Sequence, residues 1–293
     1  MSHFTVYAAT RTPNEEELNE LMLPYNEYEC TGDTTYCQYI NVSAITAKEL
    51  EEHNRDNPAD RFTVEEWLDC EYHITSDHIY KEEPELKPEC SYAVVRDGKI
   101  VAVYNFTNPN SKWDYYTPLS WLKRPYIKHI NEDDNYTILK KDFDIDIFME
   151  ARKKNYIDIY RSVKKCLTDD FKTWEICKQE YPIINNARRI YNEQQSINNI
   201  KTELGEDEYF DLCFEGTIDE IATQTEEEFT QEKLDMSAPF WAIVLPTGEW
   251  VEKGKMGWWA ISTDEDKNWK QTWHDAWSKI PDDYYLWRID CHI

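Results

Sequence analysis

Strand-forming runs lie toward the two ends of this 293-residue chain, and the middle has the periodicity of helices. At the front, HFTVYAAT (3–10) is a β-branched and aromatic run. SYAVVRDGKIVAVYNF (91–106) then alternates apolar residues on both sides of Asp97-Gly98, the strongest short-range signal for a hairpin. At the back, FWAIVLP, a turn at Thr247-Gly248, EWVEKGKMGWWAIS and YYLWRIDCHI read as strands around one helix, DEDKNWKQTWHDAWSK. Charge changes along the same boundaries. Residues 1–140 carry 13 Lys and Arg against 26 Asp and Glu, 141–201 carry 12 against 10, and 202–293 carry 7 against 22. The two β-containing ends are therefore expected to fold together, with a near-neutral helical block projecting from them. The expected class is α+β. A mixed or antiparallel sheet is built from the N-terminal part (1–130) and the C-terminal part (237–293), with a helical insertion at 131–236.

Local signals fill in the elements. Asn14 or Thr12 caps a short helix whose first turn carries Glu15, Glu16 and Glu17, and Pro24 ends it. Helices are expected at TAKELEEHNRD and from Thr63 onward, with Val64, Trp67 and Leu68 on one side. Asn108-Pro109-Asn110 breaks the hairpin ladder, and SKWDYYTPLSWLKRPYI, with two prolines, is expected to pack as loop over a sheet. In the insertion, 144–167, FKTWEICKQ, PIINNARRIYNEQQSINNIKTEL and TIDEIATQTEEEFTQEKLDM read as helices. Eight of the twelve tryptophans fall after residue 237. Trp269, Trp273 and Trp277 share one helical face, which is expected to close the core of the sheet. Ser262 with Glu265 has the spacing of a capping box for that helix, and Pro281 stops it.

Composition excludes several classes. A net charge of -26 repels nucleic acid and anionic membranes and suits a basic protein surface instead. An aromatic fraction of 14% argues for a folded chain, and part of that excess suits an interface, because Trp and Tyr are enriched at binding hot spots. No apolar run is long enough to span a bilayer, and a cytosolic setting is expected. The eight cysteines lack a C-x-x-C pair and read as buried thiols. Cys70-x-x-His73 with His78, and Cys291-His292, offer ligand types but no second zinc half-site, so no metal is expected. Seven glycines and no phosphate-binding loop disfavour nucleotide chemistry; Lys253-Gly254-Lys255-Met256-Gly257 reads as the end of a hairpin. No catalytic residue and no cofactor are assigned.

Three stretches together resemble a widespread group of phage and prophage proteins of mostly unassigned function. They are HFTVYA at the start, Asn108-Pro109-Asn110-Ser111-Lys112-Trp113-Asp114-Tyr115-Tyr116, and Lys253-Gly254-Lys255-Met256-Gly257-Trp258-Trp259 with Asp290-Cys291-His292. Within that group, the length, acidity and helical insertion resemble the Gabija anti-defence proteins. Where relatives carry a Gly-rich turn and an Arg-Trp, this chain has Thr117-Pro118-Leu119-Ser120-Trp121. The resemblance implies a non-enzymatic inhibitor in the host bacterial cytoplasm. It would bind a Gabija-type complex, an ATPase-nuclease with a helicase-like partner, and block its access to DNA as a homo-oligomer, without touching nucleic acid or membrane itself. An enzyme acting on a defence-signalling nucleotide and a phage structural protein are the alternatives. The expected contact residues are Trp258, Trp259, Glu226, Glu227 and Glu228. Trp258 and Trp259, as neighbours on a strand, must face opposite ways.

Overall fold

A computed structural model describes residues 3–27, 32–130, 135–214, 216–257 and 262–293. The fold is α+β, and the chain forms two compact units: Met1–Ser120 with Ala242–Asp264 and Tyr284–Ile293, and Trp121–Trp241 with Glu265–Asp283. The stretch 237–293 is thus divided between them. In chain order the first unit begins with β1 (His3–Thr10), α1 (Glu15–Met22), β2 (Gln38–Asn41), α2 (Ser43–Asp56), α3 (Val64–Tyr72), β3 (Ile79–Tyr80), β4 (Tyr92–Arg96), β5 (Lys99–Thr107) and β6 (Tyr115–Leu119). The second unit holds β7 (Thr137–Leu139), α4 (Ile145–Lys164), α5 (Trp174–Glu180), α6 (Ile184–Asn192), α7 (Gln195–Leu204), α8 (Glu206–Phe214), α9 (Thr217–Thr223) and α10 (Glu226–Asp235). The chain then supplies β8 (Ala242–Val244), β9 (Trp250–Glu252), β10 (Lys255–Met256) and β11 (Ser262–Thr263) to the first unit. It contributes α11 (Trp269–Ser278) to the second and β12 (Tyr285–His292) to the first.

The first unit contains a sheet in the order β6-β12-β1-β8-β9. Its centre is the antiparallel pairing of the chain's two ends, from His3 opposite His292 to Thr10 opposite Tyr285. β8 joins β1 in parallel, and β9 returns antiparallel through a turn in which Gly248 takes φ +84°. The sheet is therefore mixed, as expected. Phe4, Val6 and Ala8 lie beside Cys291, Ile289 and Trp287 across the ladder and are buried with them. The Trp287 indole donates to Thr10 Oγ1 at 2.9 Å, so the ring is buried without stranding its N–H.

The segment expected to be loop contains β6, hydrogen-bonded to β12 from Tyr115 opposite His292 to Leu119 opposite Arg288. Pro118 is tolerated because β6 is an edge strand, where a missing N–H breaks no second ladder. A second sheet in the unit, β2-β5-β4-β3, contains the hairpin read from the sequence. Asp97 at φ +49° and Gly98 at φ +69° make its two-residue turn, the left-handed pair that matches strand twist. Leu68 and Ile74 pack against Ala93, Val95 and Val103 beneath it. Thr63 caps α3 with a complete Thr63–Glu66 box, and Asn14 caps α1.

In the helical unit, α4 to α10 enclose a core of Tyr160, Val163, Cys177, Tyr191, Ile197, Ile200, Ile218, Ile221 and Phe229 among others. Helix α8 carried no prediction from the sequence. The tryptophan stripe is buried as its spacing requires, but its neighbours are not those expected. The helix belongs to the helical unit, where Phe240 meets Trp269 and Trp273 edge-on and stacks on Trp277, and Phe143 lies 5.2 Å from Trp277. The expected capping box at Ser262 does not form. Ser262 pairs with Met256 in a short ribbon, and the helix begins only at Trp269, where Asp266 accepts from the Asn268 N–H at 2.8 Å.

Asn108 is the tether between the hairpin's exit and the end of α1. It is buried, donates to the Pro24 and Asn26 carbonyls at 2.9 and 3.0 Å, and accepts from the Asn110 N–H at 3.0 Å. Asn108→Ala would leave two carbonyls and one N–H without that partner, and is expected to cost about 1–3 kcal/mol. Gly98→Ala, strained only by its positive φ, is expected to cost about 1 kcal/mol. Urea denaturation of the two variants checks the ranking.

Candidate functional site

The first candidate lies on α10. Thr225 and Glu228 form a reciprocal capping box, in which the Glu228 N–H donates to Thr225 Oγ1 at 3.3 Å and the Thr225 N–H to Glu228 Oε2 at 2.9 Å. Glu228, Glu232 and Asp235 follow at i, i+4 and i+7 on one face. With Glu227 and Glu265 they line a groove of about 900 Å³ in which Lys267 is the lone basic lining residue among the described residues. Several of these carboxylates are already engaged. Lys270 pairs with Asp235 at 2.7 Å, and Gln224 donates to Glu232 at 2.8 Å.

Two of the five expected contact residues, Glu227 and Glu228, are thus in the groove. Glu226 points elsewhere: Arg161 of α4 grips it with two bonds of 2.8 Å, so its role is to hold α10 against α4. Trp258 and Trp259 lie outside the described residues. Glu232 and Asp235 were legible in TEEEFTQEKLD as a helical face; Glu265 and Lys267 were not, because they come from the far side of a 30-residue excursion through β8 to β11.

The cations of the insertion are largely spent on neighbours. Arg161 holds Glu226, Lys165 holds Glu203 at 2.7 Å, and Lys233 holds Glu220 at 2.6 Å. By unit, the first carries 12 Lys and Arg against 27 Asp and Glu (net -15), and the second 20 against 31 (net -11). Both units are acidic.

The second candidate lies where the start of β1, the start of β6 and the end of β12 meet. His3, His292 and Tyr115 are register partners on three adjacent strands, and so share one face of the sheet. The His292 ring stacks on Tyr115 at 4.5 Å and meets His3 edge-on at 4.9 Å. The carboxylate of Asp114 accepts from His292 Nδ1 at 2.7 and 2.8 Å, and the Asp114 N–H donates to the His292 carbonyl at 3.0 Å. Asp290 holds His3 Nδ1 at 3.0 Å. Alongside, Lys112 pairs with Glu252 at 2.6 Å, which ties the 108–116 segment to β9.

His292 is only 3% exposed, and its Nε2 has no hydrogen-bond partner among the described residues. With Nδ1 donating to a carboxylate, the imidazole is held in one orientation, as in an Asp–His pair, and its Nε2 is buried. Cys291 faces the other way and burial pushes its thiol up, which makes it an inert core residue. Among the described residues no group of three or more His, Cys, Asp and Glu side chains is arranged to hold a metal ion, and no helix is long and apolar enough to cross a membrane. No family model, curated protein or solved structure matches the chain.

The acidic face predicts a pH dependence. The Arg161 guanidinium holds Glu226 below the usual carboxylate range, the Thr225 N–H does so for Glu228, and Lys270 does so for Asp235. For groups depressed in the fold, the added stability is complete above the ordinary value near about 4 and is lost as pH falls through the depressed values. The urea midpoint is therefore expected to fall between about pH 5 and 3. Glu228→Gln is expected to start lower and to fall less over the same range.

Proposed function

We propose that the chain is a non-catalytic acidic inhibitor that binds the basic DNA-handling surface of a bacterial anti-phage defence complex of the Gabija type, excluding DNA from it. The observation that carries this reading is the charge distribution. Both units are strongly acidic, and among the described residues the groove on α10 presents five carboxylates against one lysine. Such a surface steers toward a cationic channel and competes there with phosphate, an attraction that salt weakens. The resemblance of the 3–8, 108–116, 253–259 and 290–292 stretches to phage proteins supplies the setting.

A second, enzymatic reading, in which the chain modifies a defence-signalling nucleotide, is favoured by the Asp114–His292 pair, which holds an imidazole in one orientation. One titration separates the two. A binder reaches full inhibition of DNA binding only near stoichiometric ratios to the complex, and loses it at high salt. Glu227→Lys with Glu232→Lys is expected to weaken that inhibition by about tenfold, a rim-charge effect. Full inhibition at a small fraction of the complex's concentration, abolished by His292→Gln, would replace the binder with the enzyme.

The reading includes self-association through the near-neutral stretch 141–201, where Ile176, Tyr181, Ile183 and Ile184 are exposed. Light scattering on the wild type and on Ile183→Asp tests this. A mass above the monomer that falls in the variant is expected, and a monomeric wild type removes this part of the proposal.

A further inference from the structure

The helical unit contains a cavity of about 1030 Å³, large enough for a small ligand, between α5, α6, α8 and α9. Aromatic rings form part of its wall. Trp174 stands edge-on to Tyr191 at 5.9 Å, and Tyr209 and Phe210 contribute from α8, with Phe210 65% exposed. Asp219 of α9 belongs to the same lining. Its Oδ2 accepts from the Trp174 N–H at 2.7 Å and its Oδ1 from the Tyr191 hydroxyl at 2.9 Å. A carboxylate has about four acceptor positions, so roughly two remain. No Lys, Arg or His among the described residues forms an ion pair with it, and Glu175 and Glu220 add further negative charge nearby.

Aromatic faces around a part-buried carboxylate are the chemistry that receives an organic cation. The outer wall already shows the preference, because Lys201 holds its ammonium 4.6 Å from the Tyr209 ring centre and 3.6 Å from Glu206. With Glu206 and Asp207, the described lining residues include three carboxylates against Arg188 and Lys201, which disfavours an anionic ligand. We propose that this cavity binds a guanidinium or alkylammonium head group, with the charge on Asp219 and the body of the ligand against Trp174, Tyr209 and Phe210. The two sources of that chemistry are a basic side chain on a protein partner and a free polyamine. The site does not depend on the inhibitor reading, since the α10 groove contributes no residue to it.

The test is calorimetric titration of the full chain with Nα-acetyl-arginine amide, with spermidine, with a short N-acetylated arginine-containing peptide, and with Nα-acetyl-citrulline amide as the uncharged isostere. Nα-acetyl-arginine amide is expected to bind and Nα-acetyl-citrulline amide not to. Phe210→Ala, at an exposed position, and Asp219→Asn, which keeps an acceptor for Trp174, are each expected to weaken binding by about tenfold. Tighter binding of the peptide assigns the site to a protein partner, and tighter binding of spermidine to a polyamine. Equal binding of Nα-acetyl-citrulline amide overturns the proposal. So does unchanged affinity in Phe210→Ala, whose fold is not at risk, or the absence of binding up to about 10 mM, beyond the useful range of a specific site. Glu227→Lys with Glu232→Lys leaves this titration unchanged, so the two readings fail separately.

Discussion

The pairing of the first strand with the last is the interaction on which the sheet unit depends. Eight residues of β1 lie opposite eight of β12, and within the unit β6 attaches to β12, β8 to β1, and β9 to β8. The ladder closes a loop that contains almost the entire chain, which is entropically costly. Burial of Phe4, Val6, Ala8, Trp287, Ile289 and Cys291 along it offsets that cost. The same register brings His3, Tyr115 and His292 side by side, so the polar cluster at that end is a direct product of the strand alignment. A slip of one residue would turn His292 to the opposite face.

Charge is the second constraint. With 58 acidic residues to place, the chain assigns its lysines and arginines to specific partners. Arg161, Lys165, Lys233 and Lys270 each hold a carboxylate of another helix, and so join α4 to α10 and α7, α10 to α9, and α11 to α10. Most of these pairs are substantially exposed, where an ion pair adds little stability. Their effect is to fix which acidic side chains stay available. Glu226 is taken, and Glu227 beside it is left facing the groove.

Much of the fold was legible in the sequence because its signals are local. Asp97-Gly98 specified a turn that needs positive φ at both residues, Asn14 and Thr63 are caps, and Trp269, Trp273 and Trp277 fall on one face by helical geometry alone. The misreadings share a cause. Ser262 has capping-box spacing but is drawn into a ribbon with Met256, and 115–119 looks like loop until β12 offers it an edge. In both places a partner distant in sequence overrode the local preference.

The candidate sites divide along the same line. The sequence by itself determined the acidity, the α+β class, the buried tryptophan stripe and the carboxylate face of α10, since composition and a 3.6-residue period need no tertiary information. Only the tertiary structure decided that the tryptophan helix packs on Phe240 and Phe143, that Asp114 and His292, 178 residues apart, form one pair, and that Asp219 stands among Trp174, Tyr191 and Tyr209. Each of these contacts joins residues whose spacing follows no period. Strand register and helix packing bring them together, and both are fixed by what the whole chain can bury.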